Sequence, residues 1–210
     1  MRRRSPSRKN GERQNGRRRE DMIALDRYPR EITLRDGAQL VLRPMVPEDV
    51  DRLWDFFRRI PPEDKMYLRN DASRREVIEE WAEKLEYDHV LPIFALEGDR
   101  VVGDATLHRN RSGWKQRIGT IRIQIAEDFR HRGLGTAMIR EMRHLGEKAA
   151  LQYLVAEAIE EQQAAIRAFE KMGFERVAFH RNFVNDQKGR LHNLVVLHYP
   201  MSRADEEMFY

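Results

Sequence analysis

The sequence of 210 residues contains no cysteine, and this absence removes several kinds of chemistry at once. Disulfide bonds, thiolate metal sites and a cysteine nucleophile are all excluded. The seven histidines are scattered and form no His-Glu-x-x-His pair, so the sequence predicts no metal site. The Gly-x-Ser-x-Gly elbow that presents a serine nucleophile is missing as well.

Long apolar runs are also missing. No stretch approaches the roughly 20 apolar residues that cross a bilayer. The arginines near the N-terminus are not followed by the apolar segment of a signal peptide. The length suits one well-buried domain rather than two large ones. We therefore expect a single cytoplasmic domain over residues 23–200, with tails at 1–22 and 201–210.

Charged residues, in contrast, make up 35% of the chain and are distributed unevenly. Residues 1–19 hold nine Lys and Arg residues and one acid, a net charge of +8, whereas the whole chain carries +4. The remaining 191 residues thus carry −4. The tail 1–22 has no apolar periodicity and is predicted to be disordered. The tail leaves three alternatives open: contact with nucleic acid through counterion release, a solubilising role, or a true start of the protein at Met22.

Hydrophobic periodicity predicts the elements of the domain. Asp36-Gly37 separates two short alternating runs, which indicates a β-hairpin. A helix is predicted from Pro47, since proline suits a first helical turn and Glu48 and Asp49 suit its positive end. Further helices are predicted near residues 77–85, after Gly135 and up to Gly173, and further strands at 90–96, 101–108, 118–126, 153–158, 174–184 and 191–199. This order predicts an α+β (mixed α/β) fold around one mostly antiparallel sheet.

Two glycines stand between paired arginines and a helical pattern in the segment FRHRGLGTAMIREM, residues 129–142. Gly133 and Gly135 allow a ligand to approach the backbone closely. The first amides of the following helix point outward without partners, and Arg130 and Arg132 add positive charge. The segment therefore suits an anion such as a pyrophosphate, although a solvated turn at the start of a helix has the same spacing.

Two common phosphate-binding motifs do not match this segment. The dinucleotide fingerprint needs a third glycine where Met138 stands, and the nucleoside-triphosphate loop needs Gly-Lys-Ser/Thr. Instead, Arg130-x-x-Gly133-x-Gly135 resembles the R/Q-x-x-G-x-G/A motif of the Gcn5-related N-acetyltransferases (GNAT). A second segment, AIRAFEKMGF at 165–174, resembles the A-I-R-L-Y-E-K-x-G-F segment of that family.

The N-terminal third of the domain is similar to the same family. Leu42-Arg43-Pro44 followed by Pro47-Glu48-Asp49 resembles the family's first strand and helix. The opening hairpin at Arg35-Asp36-Gly37 is most like the acetyltransferase domains of bacterial protein-lysine acetyltransferases. The resemblance covers residues 30–200 and implies a GNAT-like fold with about seven strands, a splay between strands 4 and 5, and about four helices.

The resemblance also implies a reaction and a binding site. The expected activity is transfer of an acetyl group from acetyl-CoA, the co-substrate, to a primary amine, with a protein lysine as the first candidate. A CoA-binding sensor without transferase activity is the alternative. The residues implied in cofactor binding belong to a strand edge, to the phosphate-binding turn and to the second motif: Ile123, Ile125, Arg130, His131, Arg132, Gly133, Leu134, Gly135, Thr136 and Phe169.

The groups that move protons are harder to assign. The reaction needs a proton acceptor for the amine and benefits from an acid for the thiolate. Phe169 stands where many GNAT members have a tyrosine, and Thr120 stands where the lysine-acetyltransferase relatives have a glutamate. The candidate catalytic residue is Glu157, because a carboxylate between two alanines in an apolar strand needs a partner or an altered pKa. An ordinary ion-paired side chain is the alternative, and weaker candidates are Glu127, Tyr153, His108 and His192.

Overall fold

One eight-stranded sheet organises the chain, with strand order β1-β2-β3-β4-β5-β6-β8-β7. All neighbouring strands are antiparallel except β5 and β6, which are parallel. In chain order the strands are β1 (Arg30–Thr33), β2 (Gln39–Pro44), β3 (Val90–Glu97), β4 (Arg100–Arg109), β5 (Ile118–Ile125), β6 (Tyr153–Ile159), β7 (Glu175–Asn185) and β8 (Leu191–Pro200).

The structure, a computed structural model, describes residues 25–65, 68, 72, 74–186 and 188–201. The predicted tail 1–22 and nearly all of the tail 201–210 lie outside these residues. The predictions made for the basic tail, including contact with nucleic acid, therefore concern a part of the chain that is not described.

Helices cover both faces of the sheet. They are α1 (Val50–Arg58), α2 (Pro62–Lys65), α3 (Arg75–Glu83), α4 (Leu134–Lys148) and α5 (Gln163–Lys171). Side chains alternate along β3, so Leu91 and Ile93 join the core under α4, whereas Phe94 packs with Leu53 and Ile78 of α1 and α3. Within the described ranges, no helix is long and apolar enough to cross a membrane. The centre of the sheet at β3 is therefore buried on both faces, with α1 and α3 forming the cover of one.

The predicted α+β fold is confirmed, with one adjustment to the strand count. The hairpin predicted at Asp36-Gly37 supplies β1 as an edge strand, where Arg30 pairs with Leu42, so the sheet has the eight strands of the hydrophobic pattern, whereas the resemblance implied about seven. The splay consequently lies between β5 and β6. These two strands pair only from Ile118 with Tyr153 to Ile121 with Ala156, and their remaining residues separate toward the start of α4.

Gly119 is required by the close packing of leucines from β4 and from the connection between α4 and β6. A Cβ atom at this position would lie 2.6 Å from Cδ1 of Leu151 and 2.8 Å from Cδ1 of Leu107. We expect Gly119→Ala to lower the free energy of unfolding by about 1–3 kcal/mol, because the neighbouring leucines must move. Urea unfolding followed by circular dichroism measures this. An unchanged midpoint would show that the leucines relax freely.

Candidate active site

The splay leaves backbone groups of β5 available at one edge. The amide of Ala126 donates to the carbonyl of Val102 in β4 at 2.9 Å. Along an antiparallel strand, the backbone groups of successive residues point alternately toward one neighbouring strand and toward the other. The amides and carbonyls of Ile123 and Ile125 therefore point away from β4. They face the edge that β6 leaves after Ile121. An extended ligand is able to pair with this edge as an added strand, which is the position that the sequence predicted for Ile123 and Ile125.

The turn between β5 and α4 adopts the conformation that its glycine allows. His131 and Gly133 have positive φ angles of 61° and 95°. The first backbone bond of α4 runs from the Ala137 amide to the Gly133 carbonyl at 3.1 Å. The amides of Leu134, Gly135 and Thr136 therefore have no partner within the helix. They point into the space in front of the turn.

Gly135 faces open space. A Cβ atom built on it meets no heavy atom within 4 Å, whereas one on Gly133 would lie 3.5 Å from Cγ of Arg35 in the β1–β2 turn. The open volume in front of Gly135 and the outward amides of α4 together fit a pyrophosphate. This is the part of the predicted cofactor site for which the geometry is most complete.

The two arginines of the turn are both ion-paired. Arg132 donates to the Asp36 carboxylate of the β1–β2 turn and lies 4.2 Å from the centre of the Phe129 ring. The Arg132 hydrogen bond holds the pKa of Asp36 below its usual value. Arg130 forms an ion pair of 2.5 Å with Asp64 of α2. The turn is thus held on one side by the hairpin and on the other by α2.

A cavity of about 820 Å³ lies between the sheet and the cover formed by α1 and α3. Much of its wall is apolar or aromatic, and includes Met45, Leu53, Phe57, Trp81, Leu85 and Phe169. Its lining reaches both strands of the splay, at Arg122, Ile123 and Gln124 of β5 and at Glu157 and Ala158 of β6. The cavity therefore meets the edge where an extended ligand is able to bind.

Polar side chains of β4 form the floor of this cavity. Asp104, Thr106 and His108 alternate along the strand and all line the cavity. Burial raises the pKa of Asp104 to about 7, and the hydrogen bond from the Thr106 hydroxyl, at 3.4 Å, opposes this rise. A carboxyl group with this pKa is partly ionised near neutral pH.

Sequence reasoning did not single out Asp104, although the signal was present. Asp104 lies in the run Val101-Val102-Gly103-Asp104-Ala105, a carboxylate within an apolar strand. The same argument that selected Glu157 applies to it. The alternation along β4 did not reveal which face α1 and α3 would cover.

The candidate Glu157, and the two positions where relatives of the resembling family have catalytic groups, lie in different places. Glu157 lines the cavity from β6, and Phe169 lines it from α5, where its ring packs edge-on against Phe174 at 5.0 Å. Thr120 pairs with His108 of β4 and with Val155 of β6, in the part of the sheet before the splay. Of the weaker candidates, His108 lines the cavity, and the lining does not include Glu127, Tyr153 or His192.

Among the described residues, no group of three or more His, Asp or Glu side chains is arranged to hold a metal ion. The donor groups that this part of the chain does bring together are backbone amides at the turn and a few polar side chains in the cavity. Such a set suits an anionic ligand at one end and an organic molecule at the other.

Comparison with known families assigns the class of protein. The model of the family described as "Acetyltransferase (GNAT) domain" matches residues 39–175. The chain belongs to the GNAT acetyltransferase family. It is an N-acetyltransferase by class, and acetyl-CoA is the co-substrate that this fold binds. The resemblance predicted from the two glycine-containing motifs is confirmed.

Solved structures share the fold at low sequence identity. The GNAT-family acetyltransferase from Streptococcus pneumoniae has a TM-score of 0.68 and 19% identity, over 77% of this chain and 99% of that one. The GNAT domain of S. lividans PAT has a TM-score of 0.68 and 16% identity, over 81% and 96%. The acetyltransferase yncA from Salmonella typhimurium, solved with its cofactor acetyl-CoA, has a TM-score of 0.65 and 15% identity, over 78% and 95%. No curated protein matches the sequence.

Proposed function

We propose that the protein transfers the acetyl group of acetyl-CoA to a primary amine that enters the 820 Å³ cavity. One observation carries this proposal: the lining of the cavity includes residues of both β5 and β6 at the splay. A donor held along the edge of β5 and an acceptor held in the cavity therefore meet at the same place. Bringing two reactants together in this way supplies a large part of an enzyme's acceleration.

The donor is proposed to be held mainly by backbone groups. The amides of Leu134, Gly135 and Thr136 would hold the pyrophosphate, with positive charge from the turn. The backbone of Ile123 and Ile125 would pair with the pantetheine arm. Acetyl-CoA supplies an activated acetyl group as a thioester, and these residues would fix where that group lies.

The acceptor is proposed to be a primary amine, with a protein lysine as the first candidate. The cavity combines an apolar wall with the carboxyl groups of Glu80, Asp104 and Glu157. A lysine side chain matches this combination, because its aliphatic stem packs on apolar surface while its ammonium group seeks an anion. The −4 net charge of residues 20–210 also favours a cationic acceptor.

A CoA-binding sensor without transferase activity is the second candidate. It is favoured by Phe169, whose buried ring lines the cavity where many family members have a tyrosine acid. A phenyl ring is unable to protonate a leaving thiolate. A thiolate leaves without much assistance, however, and for this reason the transferase is preferred.

Two measurements on the full chain separate these candidates. Acetyl-CoA at about 100 times its Kd is expected to add about 2.7 kcal/mol to the free energy of unfolding. Free-thiol release is then expected with an Nα-acetylated lysine peptide, and not with the matched peptide that has arginine in place of lysine. Stabilisation without thiol release from any amine in a panel of peptides and small amines would favour the sensor. The absence of any stabilisation would exclude both.

The basic tail and the location of the protein complete the proposal. We keep contact with nucleic acid as one of the alternatives for residues 1–22, which lie outside the described part of the chain, and we propose that the protein is cytoplasmic. Binding of the full chain to duplex DNA should then weaken steeply with salt. A chain that begins at Met22 should lose this binding, and equal binding by both chains would contradict the role of the tail.

A further inference from the structure

The floor of the cavity holds a carboxyl group that the sequence analysis did not assign. Asp104 lies on β4 directly opposite Gln124 of β5. Neighbouring strands lie about 4.8 Å apart, so the backbone of Asp104 is at this distance from β5. The other edge of β5 borders the splay. Among the described residues, the one hydrogen-bond partner of its carboxylate is the hydroxyl of Thr106. Asp104 is therefore placed within the acceptor cavity and close to the donor edge.

We propose that Asp104 accepts the proton that the acceptor amine must lose before it attacks the thioester. This inference rests on the proposed function, because it assigns a role within that reaction. It differs from the sequence prediction, which chose Glu157 on β6. Asp104 is the more buried of the two side chains, since Glu157 is largely exposed at the mouth of the splay.

The surroundings of Asp104 favour a carboxyl group that exchanges a proton near neutral pH. Burial raises its pKa to about 7, and a proton acceptor is most effective when its pKa lies near the working pH. The same burial lowers the pKa of an ammonium group that enters the cavity. Both changes reduce the cost of moving a proton from nitrogen to oxygen.

Other titratable and charged groups face the same cavity and contribute to its field. In chain order these groups are Glu80 of α3, Lys84 just after α3, His89 just before β3, His108 of β4, Arg122 of β5 and Glu157 of β6. Glu80 and Lys84 form an ion pair at 2.5 Å, and both side chains are largely exposed to solvent at the rim of the cavity. The lining residues of α1 and α5 are uncharged. The hydrogen bond from Lys84 lowers the pKa of the Glu80 carboxyl, whereas burial raises the pKa of the Asp104 carboxyl.

The proposed step balances in atoms and charge. The ammonium group of the acceptor gives one proton to the Asp104 carboxylate and becomes a neutral amine. The amine nitrogen then forms a bond to the acetyl carbon, the carbon–sulfur bond breaks, and its electron pair stays on sulfur. The second proton lost by nitrogen neutralises the thiolate, through water. Asp104 finally releases its proton to solvent, so that the products are the amide, the thiol of CoA and one proton.

The test compares the wild-type protein with Asp104→Asn and Glu157→Gln, with an amine that the wild type acetylates. Asp104→Asn is expected to lower kcat by about 100- to 10,000-fold, the range for loss of a general base. In the wild type, kcat/KM should rise with pH around 7 as Asp104 loses its proton. This rise should be absent in Asp104→Asn and present in Glu157→Gln. Asp104→Glu should restore part of the activity.

Two further measurements verify that the variant is folded and binds the donor. Stabilisation by acetyl-CoA should be the same in Asp104→Asn as in the wild type. The pKa of Asp104 is higher in the folded protein than in the unfolded chain. Ionisation of Asp104 therefore lowers the free energy of unfolding above pH 7, and it has no effect below about pH 4, where the carboxyl is protonated in both states. The variant should therefore be more stable than the wild type at pH 8, and this advantage should shrink at pH 5.

The outcomes distinguish failure of the role of Asp104 from failure of the proposed acetyltransferase function. An active wild type together with an Asp104→Asn variant that keeps its activity and its rise near pH 7 overturns the role of Asp104 alone. Loss of that rise in Glu157→Gln instead assigns the proton to Glu157. A wild type that binds acetyl-CoA and acetylates no amine overturns the proposed function, and the role of Asp104 with it.

Discussion

Replacing Gly135 with glutamate is expected to weaken acetyl-CoA binding strongly while the protein remains folded. A side chain at this position leaves α4 into open space, since no heavy atom lies within 4 Å of its Cβ position. That space is where the outward amides of the turn would hold a pyrophosphate. A carboxylate placed there competes for the same amides and repels the ligand. We expect the Kd for acetyl-CoA to rise at least about 100-fold, because like charges in contact cost several kcal/mol.

Gly135→Ala is the matched control for this change. It adds only a methyl group, and the resembling family motif accepts alanine at this position. The helix should be stabilised slightly, by up to about 1 kcal/mol, because alanine has less backbone freedom to lose than glycine. Calorimetric titration with acetyl-CoA should give near wild-type affinity for Gly135→Ala and an affinity lower by at least about 100-fold for Gly135→Glu. Equal binding by Gly135→Glu would show that the pyrophosphate lies elsewhere.

Replacing Asp49 with asparagine is expected to cause a large loss of stability. Asp49 is fully buried and accepts two hydrogen bonds from Arg43, at 2.5 and 2.7 Å, and one from the Val46 amide at 2.9 Å. Removing one member of a buried charge pair leaves the other uncompensated, so we expect a loss of about 3 kcal/mol in the free energy of unfolding at pH 7. Urea unfolding measures it. Because these bonds connect the end of β2 to the start of α1, the cover of the cavity should loosen as well.

The pH dependence of this loss has a definite sign. Burial raises the pKa of Asp49, but the hydrogen bonds from Arg43 and Val46 outweigh burial and hold the pKa below its usual value. The stabilisation is therefore present above about pH 4 and disappears as the pH falls through the folded pKa. The difference between Asp49→Asn and the wild type should narrow in acid. A difference that persists unchanged would mean that the charge of Asp49 is not its source.

Asp99→Asn provides a surface control that involves the same arginine. Arg52 contacts Asp49 at 3.2 Å and Asp99 at 3.1 Å, but the Asp99 side chain is 96% exposed. Exposed pairs contribute little, because water screens them and ordering the side chains costs entropy. We expect no measurable change in the urea midpoint for Asp99→Asn.

Local patterns in the sequence predicted most of the fold. The strand predicted at 118–126 is Ile118–Ile125, and that at 153–158 is Tyr153–Ile159. The turn at Asp36-Gly37 joins β1 to β2 as predicted. These features depend on neighbouring residues, because alternation, turn chemistry and the glycine spacing are all local. The conformation of the turn proposed to hold the pyrophosphate was predictable for the same reason, since its glycine with positive φ and the start of α4 lie within a few residues.

Features that depend on distant partners were not predictable in the same way. Asp49 was predicted as a favourable charge at the start of a helix, whereas the structure buries it against Arg43 of β2. Arg132 was predicted as a cation for a phosphate, and the structure also pairs it with Asp36 of the hairpin. The raised pKa of Asp104 depends on how deeply β4 is covered by helices that come earlier in the chain. A pattern that repeats every two residues predicts which side chains share one face of a strand. It does not predict which helices cover that face.

Arg130 joins the turn before α4 to α2 through its ion pair with Asp64. The chain that follows α2 contributes Leu68 and Ala72 to the wall of the acceptor cavity. A pyrophosphate at the turn and the Asp64 carboxylate would both attract the same guanidinium group, and we therefore propose that donor binding is linked to the position of this wall. Such linkage is reciprocal: acetyl-CoA changes the affinity for the amine by the same factor as the amine changes the affinity for acetyl-CoA. The occupancy of each substrate site in a cell is therefore expected to depend on the concentration of the other substrate.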